Sequence, residues 1–327
     1  NGIADVEEKS VIHKFSLETH AIEYQASGTL KGRFNWHMSN LRFSEHDGYL
    51  RVVTTEGDQV QGFDHRLNIL SQQQDELALI SQLPSEGSSV TLGKRNSEGV
   101  VDEDIKAVRF YQDRAFIVTY RTIDPLYVLD LTDPETPAIK GELEIPGYSA
   151  YLHPLNERLL IGVGQQVDPD RLVGSGASES NEDSPIIEGA KISLFDISDI
   201  SAPKEASSIV FENGYTPVEY DYHAFTSLKV SDLVYRVTIP IERWGVFTDD
   251  GEQRSTSLFW QQENYLALVE VSIEQSDPEM AQVGSIYAND SNNGGGTPYA
   301  SYVPGWQDRS VIDGDNVYYI HGDRVWH

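Results

Sequence analysis

The chain has 327 residues, with 24 Lys and Arg against 52 Asp and Glu, a formal charge of −28, and no cysteine. Such a length holds a sizeable core, and such a charge repels nucleic acid and anionic membranes. Disulfides and thiolate metal sites are excluded, and no apolar run is long enough to cross a membrane as a helix.

Taken in order, residues 1–10 read as a leader. The segments 11–19 and 21–32 look like the third and fourth strands of a four-stranded unit with no first and second before them. Residues 40–44 and 49–54 make a first-second pair around His46-Asp47-Gly48, completed by 62–70 and 76–83. The clearest unit follows at 105–147. Its strands are 105–111, 115–120, 126–131 and 139–145, punctuated by Gln112-Asp113, Asp133-Pro134 and Pro146-Gly147. The two middle strands are nearly continuous apolar runs, which implies cover on both faces of their sheet. The fourth alternates Ile139, Gly141, Leu143 and Ile145 with Lys140, Glu142 and Glu144, the pattern of a half-wet edge.

A third unit runs through 149–154, 158–165, 191–197 and 203–211. Here DISDISAPKEASSI echoes DLTDPETPAIKGEL of the unit before. A fourth takes 222–230, 233–240, 265–273 and 280–288, and the pair 310–313 and 316–321 closes the chain. Sheets buried on both faces need copies of themselves on either side, which is the logic of an all-β propeller. Four units are complete, with a third-fourth pair left at the N-terminus and a first-second pair at the C-terminus. The expectation is therefore a single domain over 11–327 with five blades, the last shared by the two ends. The alternative is part of a larger propeller.

With these strands placed, the stretch from about residue 11 to the C-terminus resembles the bacterial secreted proteins with a C-terminal β-propeller domain, distantly WD-repeat-like. The segments that carry the resemblance include KFSLETHAIEYQASG, DGYLRVVTT, VRFYQDRAFIVTYRTIDPLYVLDLTDPETP, GELEIPGYSAYLHPLNERLLIGVG and KISLFDISDISAPKEAS. The resemblance implies a secreted or periplasmic location, with surface attachment through a further N-terminal segment as a variant. It brings no catalytic residues. The stretch around 220–225 keeps only the outline of the family pattern, and 165–189 and 242–257 are insertions.

First strands of a propeller line its central channel. Aligned by their turns, SNLRFS, KAVRFY, AYLHPL, DYHAF and QDRSV put Arg42, Arg109, His153, His223 and Arg309 at one register. Tyr151 and Asp221 belong to the same lining. One reading is a cationic collar for a small anion or an acidic sugar, with imidazole as acid or base. The other pairs each Arg with a neighbouring carboxylate such as Asp104, Asp124 or Asp221, and each His with a backbone carbonyl, as buried charges require.

The long connections, 84–104, 165–189, 212–220, 242–257 and 289–305, all fall on one face, where binding usually resides. They carry Trp244, Phe247, Tyr299, Tyr302 and Trp306, aromatics suited to sugars or a peptide. Asp168, Asp170, Glu182 and Asp183 lack EF-hand spacing and read as solvated charge. No GxSxG, HExxH, Walker or dinucleotide motif is present. These features point to a monomeric extracytoplasmic scaffold that binds a small anion, a saccharide or a protein, without cofactor or metal. The competing expectation is a lyase or hydrolase on an anionic carbohydrate.

Overall fold

The computed structural model describes residues 8–18, 21–34, 38–121, 124–172, 185–245, 261–273, 277–288 and 303–327. The chain divides into two compact units, 1–144 with 199–203, and 145–198 with 204–327.

The first described strands are β1 (Lys9–Glu18) and β2 (Ala21–Lys31), so Lys9 and Ser10, expected in the leader, are strand. The strands β3 (Phe43–His46), β4 (Tyr49–Asp58), β5 (Gly62–Gln73) and β6 (Glu76–Leu83) form an antiparallel meander. At the β3–β4 turn Asp47 and Gly48 both take positive φ, 49° and 82°, as a two-residue hairpin of this hand demands. A second meander comprises β7 (Asp104–Tyr111), β8 (Arg114–Tyr120), β9 (Asp124–Asp130) and β10 (Ala138–Ile145). Residues 115–119 of β8 and 125–129 of β9 are buried without a break, whereas Lys140, Glu142 and Glu144 of β10 are exposed between buried Gly141 and Ile145. The apolar runs thus are covered on both faces and the alternating strand is the wet edge. Val53, Leu67 and Ile69 join Val108, Ile117 and Leu129 in one buried cluster, which welds the two meanders.

The second unit holds a third meander, β11 (Tyr148–Pro154), β12 (Leu159–Leu172), β13 (Pro185–Asp196) and β14 (Lys204–Glu212). Both β12 and β13 run well into the span expected as a loop from 165 to 189, in register from Leu159↔Asp196 to Gln166↔Gly189. Past Gln165 the alternation of apolar and polar side chains fades, so the ladder there is made by backbone pairing that side-chain pattern does not announce. After β15 (Gly214–Tyr215) come two 3-10 turns, Pro217–Glu219 and Tyr222–Ala224. A fourth meander uses β16 (Thr226–Lys229), β17 (Val234–Gly245), β18 (Gln261–Ser272) and β19 (Glu279–Tyr287).

The chain ends in a three-stranded sheet of β20 (Arg309–Asp313), β21 (Asn316–His321) and β22 (Arg324–Trp326). The two ends therefore do not pool their strands in one sheet among the described residues. The outer edge of β21 is taken by β22, through Tyr319↔Trp326 and Ile320↔Val325. At the other end β2 joins β6 through the parallel bridge Ser27↔Glu76. The three residues RVW are too short to be read as a strand from sequence.

Close backbone approach is tightest in the third meander. A Cβ on Gly164 would fall on the carbonyl of Tyr148, across the β11–β12 pair, and backbone cannot yield as a flexible side chain can. Gly164→Val is expected to cost about 1–3 kcal/mol of stability by overpacking. A denaturant midpoint equal to that of the wild type would refute the claim.

Candidate functional site

Five of the seven residues read from sequence come together in the second unit: Tyr151, His153, Asp221, His223 and Arg309. Arg42 and Arg109 lie in the first. Two of the aligned positions are not on strands, because SNLR and YHA each close as 3-10 turns, 39–42 and 222–224, before their strands begin. At the second of these the side chain of Asp221 caps the turn, accepting from the His223 N–H, and so holds DYHAF out of an extended conformation.

In the first unit, Arg42 is buried and donates to Thr55 Oγ1 at 3.1 Å. Burial lowers its pKa to about 10, against the opposing charge of Asp104. Thr55 Oγ1 in turn lies 2.9 Å from His65 Nδ1, and His65 Nε2 lies 2.8 Å from the carbonyl of Glu103. A carbonyl only accepts, so Nε2 carries the proton and Nδ1 accepts from the Thr55 hydroxyl. This chain is internal and fully directed, a structural use of Arg42. Arg109, on β7, is half-buried, and its Nε is buried without a hydrogen bond. The side chain of Asp124, named as a partner from sequence, lies outside the described residues, as do Trp244, Phe247, Tyr299, Tyr302, Asp170, Glu182 and Asp183.

The arrangement in the second unit is built on Asp221. Its Oδ1 accepts from the backbone N–H of His223 at 3.0 Å and from the His223 ring at Nδ1, 2.8 Å away. Its Oδ2 accepts from Arg309 Nη2. Burial pushes the Asp221 carboxyl up, but the His223 hydrogen bonds and the Arg309 charge outweigh it and hold the pKa below the usual carboxylate value. Because a carboxylate only accepts, His223 Nδ1 is protonated and, in the neutral ring, Nε2 presents its lone pair. The His223 side chain is 63% exposed, against 32% for Asp221 and 33% for Arg309.

Beneath this rim the rings are layered. His223 stacks on Tyr222 at 4.2 Å, and Tyr222 stacks on Tyr151 at 6.1 Å with 15° between the planes. Tyr151 is buried, and its hydroxyl meets His153 Nδ1 at 3.1 Å. His153 Nε2 meets Ser227 Oγ at 3.0 Å, and its ring packs on Phe225. His153 is thus held by two hydroxyls.

Arg309 has its own support. Its Nη1 donates to the carbonyl of Asp308 at 2.8 Å. The buried Asp308 carboxylate receives His321 Nδ1 at 2.8 Å and the Tyr319 hydroxyl. Burial, then the Asp308 charge, push the Tyr319 phenol well above its ordinary pKa. Asp308, Tyr319 and His321 escape sequence reading because each lies one place off the aligned register or on a neighbouring strand. Among the described residues no group of three or more His, Cys, Asp or Glu is placed to hold a metal ion. A groove lined by Leu266, Leu268, Ile286, Val317, Asp315 and His327 includes none of the site residues. Among the described residues no helix is long and apolar enough to cross a membrane.

Two measurements follow from these networks. Burial lowers His65 from 6.5 to about 4. Between those values the unfolded chain takes up a proton that the folded chain refuses. Stability is therefore whole above pH 6.5 and falls as the pH drops toward 4, by on the order of 3 kcal/mol. His65→Gln should flatten that part of the profile, and an unchanged profile would count against the buried neutral ring. Tyr319→Phe leaves a buried carboxylate oxygen without its donor and should cost about 1–3 kcal/mol in a urea melt. A neutral result would show that Asp308 needs no second donor.

An uncharacterized protein of Archaeoglobus fulgidus is 35% identical over 218 residues, 67% of this chain and 28% of its own length. An uncharacterized protein of Methanocaldococcus jannaschii is 36% identical over 220 residues, 64% of this chain and 30% of its own. The chain thus spans less than a third of the length of these archaeal relatives. Among solved structures, the β-propeller domain of Nup133 from Vanderwaltozyma polyspora aligns with 98% of this chain and 81% of that one. Its identity is 9% and its TM-score 0.34, and nothing is argued from it. The model of the family described as "Beta propeller domain" matches residues 2–327, and the chain belongs to that family.

Proposed function

We propose that this chain is a non-catalytic binding platform of the β-propeller kind, extracytoplasmic in location, and that its ligand meets it at the Asp221–His223–Arg309 rim. The observation that carries this is the pairing of Arg309 with Asp221. A catalyst acting on an anionic carbohydrate needs a cation free to neutralise the substrate carboxylate. Here the guanidinium of Arg309 already holds an internal carboxylate and a backbone carbonyl. His153 is likewise enclosed by Tyr151 and Ser227. Among the described residues the five sheets are read as five blade units: four hold complete meanders, the first of them extended by β1–β2, and β20–β22 is the one partial unit.

The test sets binding against turnover. The full chain is incubated with polyuronates and neutral glycans, with retention and released product both measured. Retention without product is the expected outcome. His223→Ala, at an exposed position, should weaken retention at least fivefold while shifting the melting temperature by no more than about 2 °C. Product formed from a polyuronate, and lost in that variant, would overturn the proposal in favour of a lyase or hydrolase.

A further inference from the structure

Resting on the binding reading above, the ligand class can be narrowed from the chemistry of the rim. The sequence suggested a cationic collar for an anion. In the second unit the folded chain offers something else. Asp221 and Arg309 together carry no net charge, and the His223 ring, whose Nδ1 donates to Asp221, offers an acceptor at Nε2 in its unprotonated form. The whole chain bears −28, so an anion arriving here meets a repulsive field with no uncompensated guanidinium at the rim to offset it.

What the rim does present is a mixed set of hydrogen-bonding groups on fixed supports. Asp221 and His223 Nε2 accept, and the N–H groups of the Arg309 fork donate. A ligand that matches must offer both donors and acceptors without charge. Hydroxyl groups do this, each being donor and acceptor at once, and a vicinal pair of them spans a carboxylate and a guanidinium side by side. Two exposed aromatics stand on neighbouring segments. Tyr220 directly precedes Asp221 and is 62% exposed. Trp306, also 62% exposed, stands on the 3-10 turn Gly305–Gln307. The turn Pro217–Glu219 touches both that turn and Tyr222–Ala224. Tyr220 and Trp306 are thus carried by segments that gather around the rim. Large exposed aromatics beside a polar rim suit the C–H face of a sugar ring, which gives up its water readily.

We infer that the Asp221–His223–Arg309 rim, bordered by Tyr220 and Trp306, binds a neutral saccharide: hydroxyls bridge the polar groups and a pyranose face lies on an aromatic ring. His223 is a binding residue in this scheme and moves no proton. Asp221 positions it.

The experiment uses the full chain on an array of neutral and uronic-acid-bearing glycans, followed by electrophoresis through gels holding the best neutral polysaccharide or polygalacturonate. Binding of at least one neutral glycan, with retardation in its gel and none by polygalacturonate, is expected. Trp306→Ala and His223→Ala should each weaken retardation at least fivefold, and Trp306→Tyr should restore part of it. Both positions are exposed, so the variants should melt as the wild type does. Tryptophan emission of the wild type should shift on adding the bound glycan, and the shift should vanish in Trp306→Tyr. No neutral glycan bound on the array overturns the inference, and so does retardation that both alanine variants keep. Retention by polygalacturonate that depends on Arg309 overturns the neutral class alone and leaves the binding platform standing. Cleavage of any glycan on the array overturns the platform reading itself.

Discussion

The structure depends on one constraint: the middle strands of its sheets are apolar on both faces. A strand such as β8, with Ala115 through Thr119 buried in succession, has no side on which water is acceptable. Each such sheet must lie between two others, and the cluster that joins Val53 and Leu67 to Ile117 and Leu129 is that requirement met. Polar chemistry is then pushed to strand ends and to the turns that precede first strands. Arg42, His223 and Arg309 all stand at such places, in a 3-10 turn or at the opening of a strand.

Charges at those positions are settled in different ways. Arg42 is drawn inside, and its burial is made tolerable by Thr55 and the nearby Asp104. Arg309 stays at the surface, half-exposed, and is clamped between a side-chain carboxylate and a backbone carbonyl. That clamp is itself anchored, since the carbonyl belongs to Asp308, whose carboxylate is fastened from β21 by Tyr319 and His321. Support of this sort fixes the direction of the Arg309 fork as well as its distance.

How much of this was legible in the sequence follows from what each feature leaves in side-chain pattern. The strand runs of 105–145 announce themselves by β-branched and aromatic density, and their edge by the alternation of Lys140, Glu142 and Glu144. Of the five residues aligned by their turns, His223 and Arg309 meet at the rim in the second unit and His153 lies beneath it, although Arg42 and His223 stand on 3-10 turns and not on strands. Which partner each one takes was not visible. Asp221 lies 88 positions from Arg309 along the chain, and no local spacing encodes that meeting. The two ends, expected to share one sheet, do not do so among the described residues: β22, three residues with no periodicity to read, pairs with β21, and β2 bridges to β6. DYHAF misleads for a different reason: Asp221 caps its own turn, and a side chain competing for backbone donors overrides the aromatic preference for strand.

The zwitterionic character of the Asp221–Arg309 pair has a consequence for the environment in which the protein can work. Attraction between a cationic collar and an anion fades as dissolved ions accumulate, because the screening length contracts to a few ångströms in brine. Recognition through hydroxyl bridges and ring faces carries no such dependence, and apolar stacking strengthens in many concentrated salts. Under the saccharide binding proposed above, the chain would hold a polyol in dilute buffer and in brine alike, where a collar of unpaired arginines would let an anion go.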